Sequence, residues 1–280
     1  MKLFLTALVF ILFTSQLSAQ NISFNEGKPV FHGAKIVGNY PNTDFLFTVP
    51  ATGERPITFS AENLPKGLSL ESTTGIIHGV VKEKGSFEVK ISASNTKGTT
   101  TEDLKIEIGG KLCLTPPMGW NSWNVFTNTL DEKLVMETAD AMVSTGMRDL
   151  GYEYIDMDDF WHAVSRDADG KPVANPEKFP HGIKWLADYV HSKGLKLGIY
   201  SDAGDKTCGK CFGGFQHEEI DAKVYAEWGI DLLKYDFCFA PIKKSTAIAR
   251  YTKMGNALKN SGRSIVYSIC NWGLFAPCKW

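Results

Sequence analysis

The chain has 280 residues, 43% hydrophobic and 22% charged, with a formal net charge of −1. That is room for two ordinary globular domains. It argues against nucleic acid as a partner, because no concentrated Lys/Arg face is available to meet phosphates.

Residues 1–19 read as a secretory signal peptide: Lys2 supplies the positive start, Leu3–Phe13 the apolar run, and Ser15–Ala19 small residues for cleavage. The run is shorter than the ~20 residues that span a bilayer. No later stretch is apolar enough to span, so no membrane attachment is expected after cleavage. Export to the periplasm or the medium would permit disulfides. All six cysteines, Cys113, Cys208, Cys211, Cys238, Cys270 and Cys278, lie beyond residue 109. Cys208 and Cys211 form a CxxC pair with no second pair to complete a zinc site, so no metal is expected.

Residues 20–109 carry short alternating runs at 45–48, 57–60, 68–70, 76–80, 87–93 and 104–108, separated by turn clusters such as Asn63–Gly67. That spacing predicts a small all-β sandwich. The segments LPKGLSL (64–70), TGIIHG (74–79) and ASNTKG (93–98) resemble bacterial Ig-like modules. Such modules precede enzymes as spacers or as sugar-binding appendages, and the spacer reading is preferred because no reactive side chains cluster here.

Gly109-Gly110 marks a change to strand–helix alternation over 110–280. Strands are predicted near 118–123, 154–157, 195–200, 231–235 and 264–268. Helices are predicted from an Asp131 cap to about Gly146, over 181–193, 218–228 and 244–260. Strict alternation implies a parallel sheet, open or closed. A closed (β/α)8 TIM barrel needs eight units and ~250 residues. Residues 110–280 hold about five, so further units are expected beyond Trp280.

In such a barrel the reacting groups sit at the C-terminal strand ends. The polar residues fall there: Trp120–Trp123, Asp158-Asp159, Tyr200–Asp202, Lys234–Asp236 and Cys270–Trp272. Carboxylates among aromatic rings suit a sugar, which has apolar faces and a rim of hydroxyls. Lys234 and Asp236 share one face of a strand. A neighbouring ammonium would hold Asp236 ionised as a nucleophile; the bland alternative is a structural ion pair. Asp158-Asp159 could equally cap a helix, and Asp156 with Asp158 could hold a cation. Trp123 and Trp161 are read as sugar platforms from their places at strand ends.

Five motifs carry a closer resemblance: PMGWNSW (117–123), GYEYIDMDD (151–159), FPHGI (179–183), HSKGLKLGIY (191–200) and LLKYD (232–236). In this order they resemble the family 27 glycoside hydrolases, the α-galactosidases and α-N-acetylgalactosaminidases, over about 114–272. The resemblance implies a (β/α)8 barrel, no cofactor, and retaining hydrolysis of terminal α-galactosides in oligo- or polysaccharides. It implies Asp236 as nucleophile, Asp158, Asp159 and Lys234 on the sugar hydroxyls, and Trp123 and Tyr200 lining the pocket. It also implies a Cys208–Cys238 disulfide at the pocket edge. The family's acid/base aspartate follows a sixth strand, and residues 1–280 do not reach it. The 280-residue chain is therefore expected to outline a sugar pocket without turning over. Asn271 stands where animal members have a glutamate for the sugar 2-OH, which leaves the C2 preference open. A β-L-arabinopyranosidase, an α-N-acetylgalactosaminidase and a non-catalytic sugar-binding protein are the alternatives.

Overall fold

A computed structural model describes residues 25–280; the predicted signal peptide at 1–19 lies outside the described residues. The first part is a β-sandwich. Its strands are β1 (Val30–Phe31), β2 (Ile36–Asn39), β3 (Asp44–Thr48), β4 (Ala51–Thr52), β5 (Thr58–Glu62), β6 (Leu68–Leu70), β7 (Ile76–Val80), β8 (Gly85–Asn95) and β9 (Gly98–Ile108). β1 and β4 pair separately as a two-stranded ribbon, while one main sheet runs β2-β9-β8-β5 and the second runs β3-β7-β6. Alternate residues from each, including Phe45, Phe47, Phe59, Ile77, Val89, Ile91 and Ile106, fill the space between them. The sequence pattern misses β1, β2 and β4. Two of these are two residues long, and β2 is held by parallel pairing with β9, a contact between distant segments. It also shortens β8 and β9. Their Ser/Thr-rich ends pair across the hairpin, Ser92 with Thr101 and Ser94 with Thr99.

The second part alternates: β10 (Gly119–Asn121), α1 (Trp123–Phe126), α2 (Glu132–Ser144), β11 (Tyr154–Met157), α3 (Gly182–Ser192), β12 (Lys196–Asp202), α4 (Glu218–Trp228), β13 (Leu232–Asp236), α5 (Lys244–Lys259) and β14 (Val266–Ile269). The five strands pair in parallel in chain order. This is a partial (β/α) barrel. Asp131 caps α2 by accepting the Leu134 N–H. Val135, Ala139 and Met142 of α2, and Ile183, Leu186, Ala187 and Val190 of α3, are buried against the strands. The helices thus bury the faces their apolar spacing indicates.

The sandwich docks on the N-terminal ends of the barrel strands. Thr48 Oγ1 donates to the Gly194 carbonyl at 2.6 Å, just before β12. The Tyr40 N–H donates to Ser264 Oγ at 2.9 Å, just before β14. Arg263 pairs with Asp44 at 3.2 Å, and Arg55 pairs with Asp149. All these barrel groups lie on loops that enter strands, so the module braces the floor. At ~3.3 Å per strand residue, roughly 20 Å of β12 separates it from the opposite end.

Candidate active site

The mouth is built where the parallel strands end. Tyr200 lies beside Lys234, and Asp202 beside Asp236, in the register of β12 and β13. Asp158, Asp159, Tyr200, Asp202, Asp236 and Asn271 are all buried. Burial of so many acids demands partners, and most of them are backbone N–H groups of the loops that follow the strands.

Asp236 Oδ1 accepts the Phe237 N–H at 2.9 Å, and Oδ2 accepts the Tyr200 hydroxyl at 3.2 Å. Lys234 is not its partner. The lysine side chain crosses to Asp158 Oδ2 at 2.5 Å, and its ammonium lies 5.2 Å from the Tyr200 ring centroid. Burial works against this ammonium, but the Asp158 charge and hydrogen bond outweigh it and raise its pKa. The expected Lys234–Asp236 ion pair is therefore corrected. Both residues leave one face of β13, but the long side chain reaches an acid two strands away.

Asn121 completes the Asp158 contacts, donating Nδ2 to Asp158 Oδ2 at 2.8 Å and to Asp156 Oδ2 at 2.6 Å. Asp158 also accepts the Asp159 N–H. Asp159 accepts the Phe160 N–H at 2.8 Å and the Gly209 N–H at 2.7 Å; burial raises its pKa against those bonds. No helix starts at this pair, so the helix-cap alternative falls.

Trp123 is half-buried and stacks on Phe160, rings 6.1 Å apart and 6° from parallel. Trp161 is fully buried, with its indole N–H donating to the Tyr200 carbonyl at 2.8 Å. It is a core residue and not a platform. Phe160 adopts φ 76°, and Trp161 follows it inward onto Phe212, Tyr225 and Trp228.

Cys208 and Cys238 form the disulfide, Cα atoms 5.2 Å apart, and it ties the loops after β12 and β13. Asp202 reinforces that tie, accepting the Gly204 N–H at 2.6 Å and the Cys238 N–H at 3.0 Å. Burial outweighs these bonds and pushes its pKa up to about 8. Asn271 turns its amide N–H to the Leu274 carbonyl at 2.6 Å, which closes the turn after β14. Cys270 is a free thiol pushed up to about 11 by burial and then by Asp236.

Asn121, Asp202 and Tyr251 take parts that residue spacing did not assign. Tyr251 lies on the buried face of α5, with its ring in the core. Its hydroxyl lies 3.2 Å from both the Asp236 and Cys270 carbonyls, bridging the ends of β13 and β14. Asn121 and Asp202 stand at strand ends, which was the available signal. Among the described residues, two mixed clusters have metal-ligand atoms: Asp202/Cys208/Asp236/Cys238 and Asp159/His162/Cys211. The disulfide occupies both sulfurs of the first.

Buried acids, an acid-bound lysine and an aromatic wall at the strand ends of a partial parallel barrel are features that a barrel glycosidase shares. The "Alpha galactosidase A" family model matches residues 115–279, and the chain belongs to that family. A "Putative Ig domain" model matches residues 28–109. The chain is 55% identical to a Coffea arabica alpha-galactosidase over 187 residues, 66% of this chain and 49% of that one. It is 50% identical to the Homo sapiens alpha-galactosidase A, covering 59% and 40% of the two chains. A Bacteroides fragilis crystal structure described as a "putative alpha-galactosidase/melibiase" superposes with a TM-score of 0.91 at 57% identity, covering 92% of this chain and 55% of that chain. The chain thus spans about half the length or less of the curated relatives it matches.

Proposed function

We propose that this chain supplies the nucleophile half of a retaining α-galactosidase acting on terminal α-galactosyl residues of oligo- and polysaccharides. The observation that carries the reading is the Asp236 carboxylate, held by Tyr200 and the Phe237 N–H, in one mouth with the Lys234–Asp158 pair. Asp236 attacks C1 from one face. The C1–O bond breaks, the leaving oxygen takes a proton, and a galactosyl ester of Asp236 forms. Water then attacks C1, loses a proton and frees the carboxylate. The family supplies the proton carrier from a carboxyl after a sixth strand, which residues 1–280 do not include.

Asp158, Asp159 and Lys234 meet the ring hydroxyls in this reading. Their donors and acceptors are already fixed by neighbours, which lowers the ordering cost of binding. Trp123, steadied by Phe160, offers the apolar wall. The disulfide Cys208–Cys238 borders the pocket. Its presence and the apolar leader both support export; sequencing the mature amino terminus tests this, with a start after Ala19 expected.

The direct test uses a fluorinated galactosyl fluoride. Fluoride leaves without a proton, so trapping needs the nucleophile and not the acid. The expected result is one galactosyl adduct on the peptide carrying Asp236, blocked by free galactose. Labelling elsewhere, or none, overturns the reading. Parallel nitrophenyl α-galactoside, α-N-acetylgalactosaminide and β-L-arabinopyranoside assays on protein with a complete barrel then rank the sugars.

A further inference from the structure

We propose that Asp159, His162 and Cys211 form a binding site for one borderline-soft divalent cation, of the zinc type, at the edge of the mouth. Their ligand atoms all lie within 4.8 Å of one another. His162 Nδ1 is already 3.6 Å from Asp159 Oδ1. Tetrahedral zinc bonded at ~2.0–2.3 Å sets its ligand atoms roughly 3.3–3.7 Å apart. The nitrogen and oxygen therefore stand at ligand spacing, and the thiol needs about an ångström of adjustment to join them.

The imidazole is the feature with no other explanation. His162 is 4% exposed, and neither ring nitrogen has a hydrogen-bond partner. Buried polar groups are rarely left so, because an unmet donor or acceptor costs about 1–3 kcal/mol. Packing against Trp161 and Phe212 fixes the ring plane, so the Nδ1 edge stays aimed at Asp159. A metal ion would satisfy one nitrogen with no backbone change.

Cys211 closes the set from a tight turn. Its N–H donates to Thr207 Oγ1 at 3.0 Å, and the Thr207 N–H donates to its carbonyl at 3.0 Å. The residue is half-exposed while Asp159 and His162 are buried, so an ion reaches the site past the sulfur. Binding replaces the S–H bond with a metal–sulfur bond and releases that proton to solvent; no oxidation is involved. One neutral imidazole, one thiolate and one carboxylate balance a divalent charge and leave a fourth position for water. The ion would draw on the carboxylate that the galactoside reading assigns to sugar hydroxyls, and that consequence alone rests on that reading.

The test is a cobalt(II) titration of the folded protein with its free thiols kept reduced. A single equivalent should bring a sulfur-to-cobalt charge-transfer band and the intense visible bands of tetrahedral cobalt, both erased by zinc. Cys211→Ser should abolish the charge-transfer band. His162→Gln should weaken cobalt binding by more than about tenfold, since disturbing even a ligand's partner costs about 10–100-fold. No bands, or bands undiminished in Cys211→Ser because another free thiol holds the ion, would overturn the site. Cys211 sits on a half-exposed turn, so its variant keeps the test decisive if the buried His162→Gln fails to fold.

Discussion

Lys234 reaches past β12 to Asp158 and leaves Asp236, two residues along its own strand, to a tyrosine hydroxyl and a backbone N–H. The mouth therefore separates two jobs. One acid is tied to a cation and an amide, and the other is held by two neutral donors with a lone pair left for chemistry.

Lys234→Met tests the first half of that arrangement. It leaves Asp158, 2% exposed, without a countercharge. Removing one partner of a buried pair costs about 3–5 kcal/mol, and the partial exposure of Lys234 reduces that to about 2–3 kcal/mol. Urea unfolding should show the loss, and calorimetry should show galactose binding falling with it. An unchanged unfolding midpoint would refute the pair's weight.

Tyr200→Phe tests the second half. The hydroxyl donates to Asp236 Oδ2 at 3.2 Å. A hydrogen bond to a charged group contributes about 1.5–3 kcal/mol, so adduct formation at Asp236 should slow roughly tenfold to a hundredfold. The fold should survive, because the ring stays packed. A rate equal to wild type would remove Tyr200 from the nucleophile's support.

The disulfide closes a separation of 30 residues between two loops of the mouth. Replacing Cys208 and Cys238 together by serine should lower stability by about 3 kcal/mol. It should also weaken galactose binding, because Gly209, the residue after Cys208, donates to Asp159. Loss of stability with unchanged binding would show that the loops hold their places without the bond.

Gly194 tests the floor. It adopts φ +71°, and a Cβ there would stand 2.2 Å from Thr48 Oγ1. Gly194→Ala should cost about 1–2 kcal/mol of backbone strain and also loosen the sandwich from the barrel. Limited proteolysis near Gly109-Gly110 should accelerate, while galactose binding at the far end of the strands stays as it was. Equal proteolysis rates would refute the bracing role.

Asp202 sets a pH response. Its folded pKa, about 8, stands above the ordinary 3.8. The folded state thus holds this proton more tightly than the unfolded chain. That contribution is complete below the unfolded value and is lost as pH rises through the folded one. Unfolding midpoints in urea should decline between about pH 4 and about pH 8, and Asp202→Asn should flatten the decline. An identical slope in the variant would place the titration elsewhere.

Much of this was readable from residue order. β11 and α4 run over the residues that alternation predicts, Tyr154–Met157 and Glu218–Trp228, because apolar spacing there has one solution. The acids fall at strand ends because a parallel barrel sends every strand's C-terminal end to one rim. What failed was cross-strand and rotational. Lys234 was paired with the acid nearest in sequence, since nothing local reveals a partner two strands away. Trp161 was turned outward because the left-handed backbone at Phe160 is invisible in a residue string. β2 went unseen because its partner β9 lies about seventy residues on.

Three loops leave the mouth through aromatic residues in left-handed backbone: Phe160 after β11, Phe239 after β13 and Trp272 after β14, at φ 76°, 50° and 56°. Such conformations each cost about 1–3 kcal/mol for a side chain of this size. Glycine at any of the three would relieve the backbone and strip a ring from the rim. Screens for heat resistance and screens for sugar affinity should therefore pull these positions apart. A library varied at 160, 239 and 272 would trace that conflict one loop at a time.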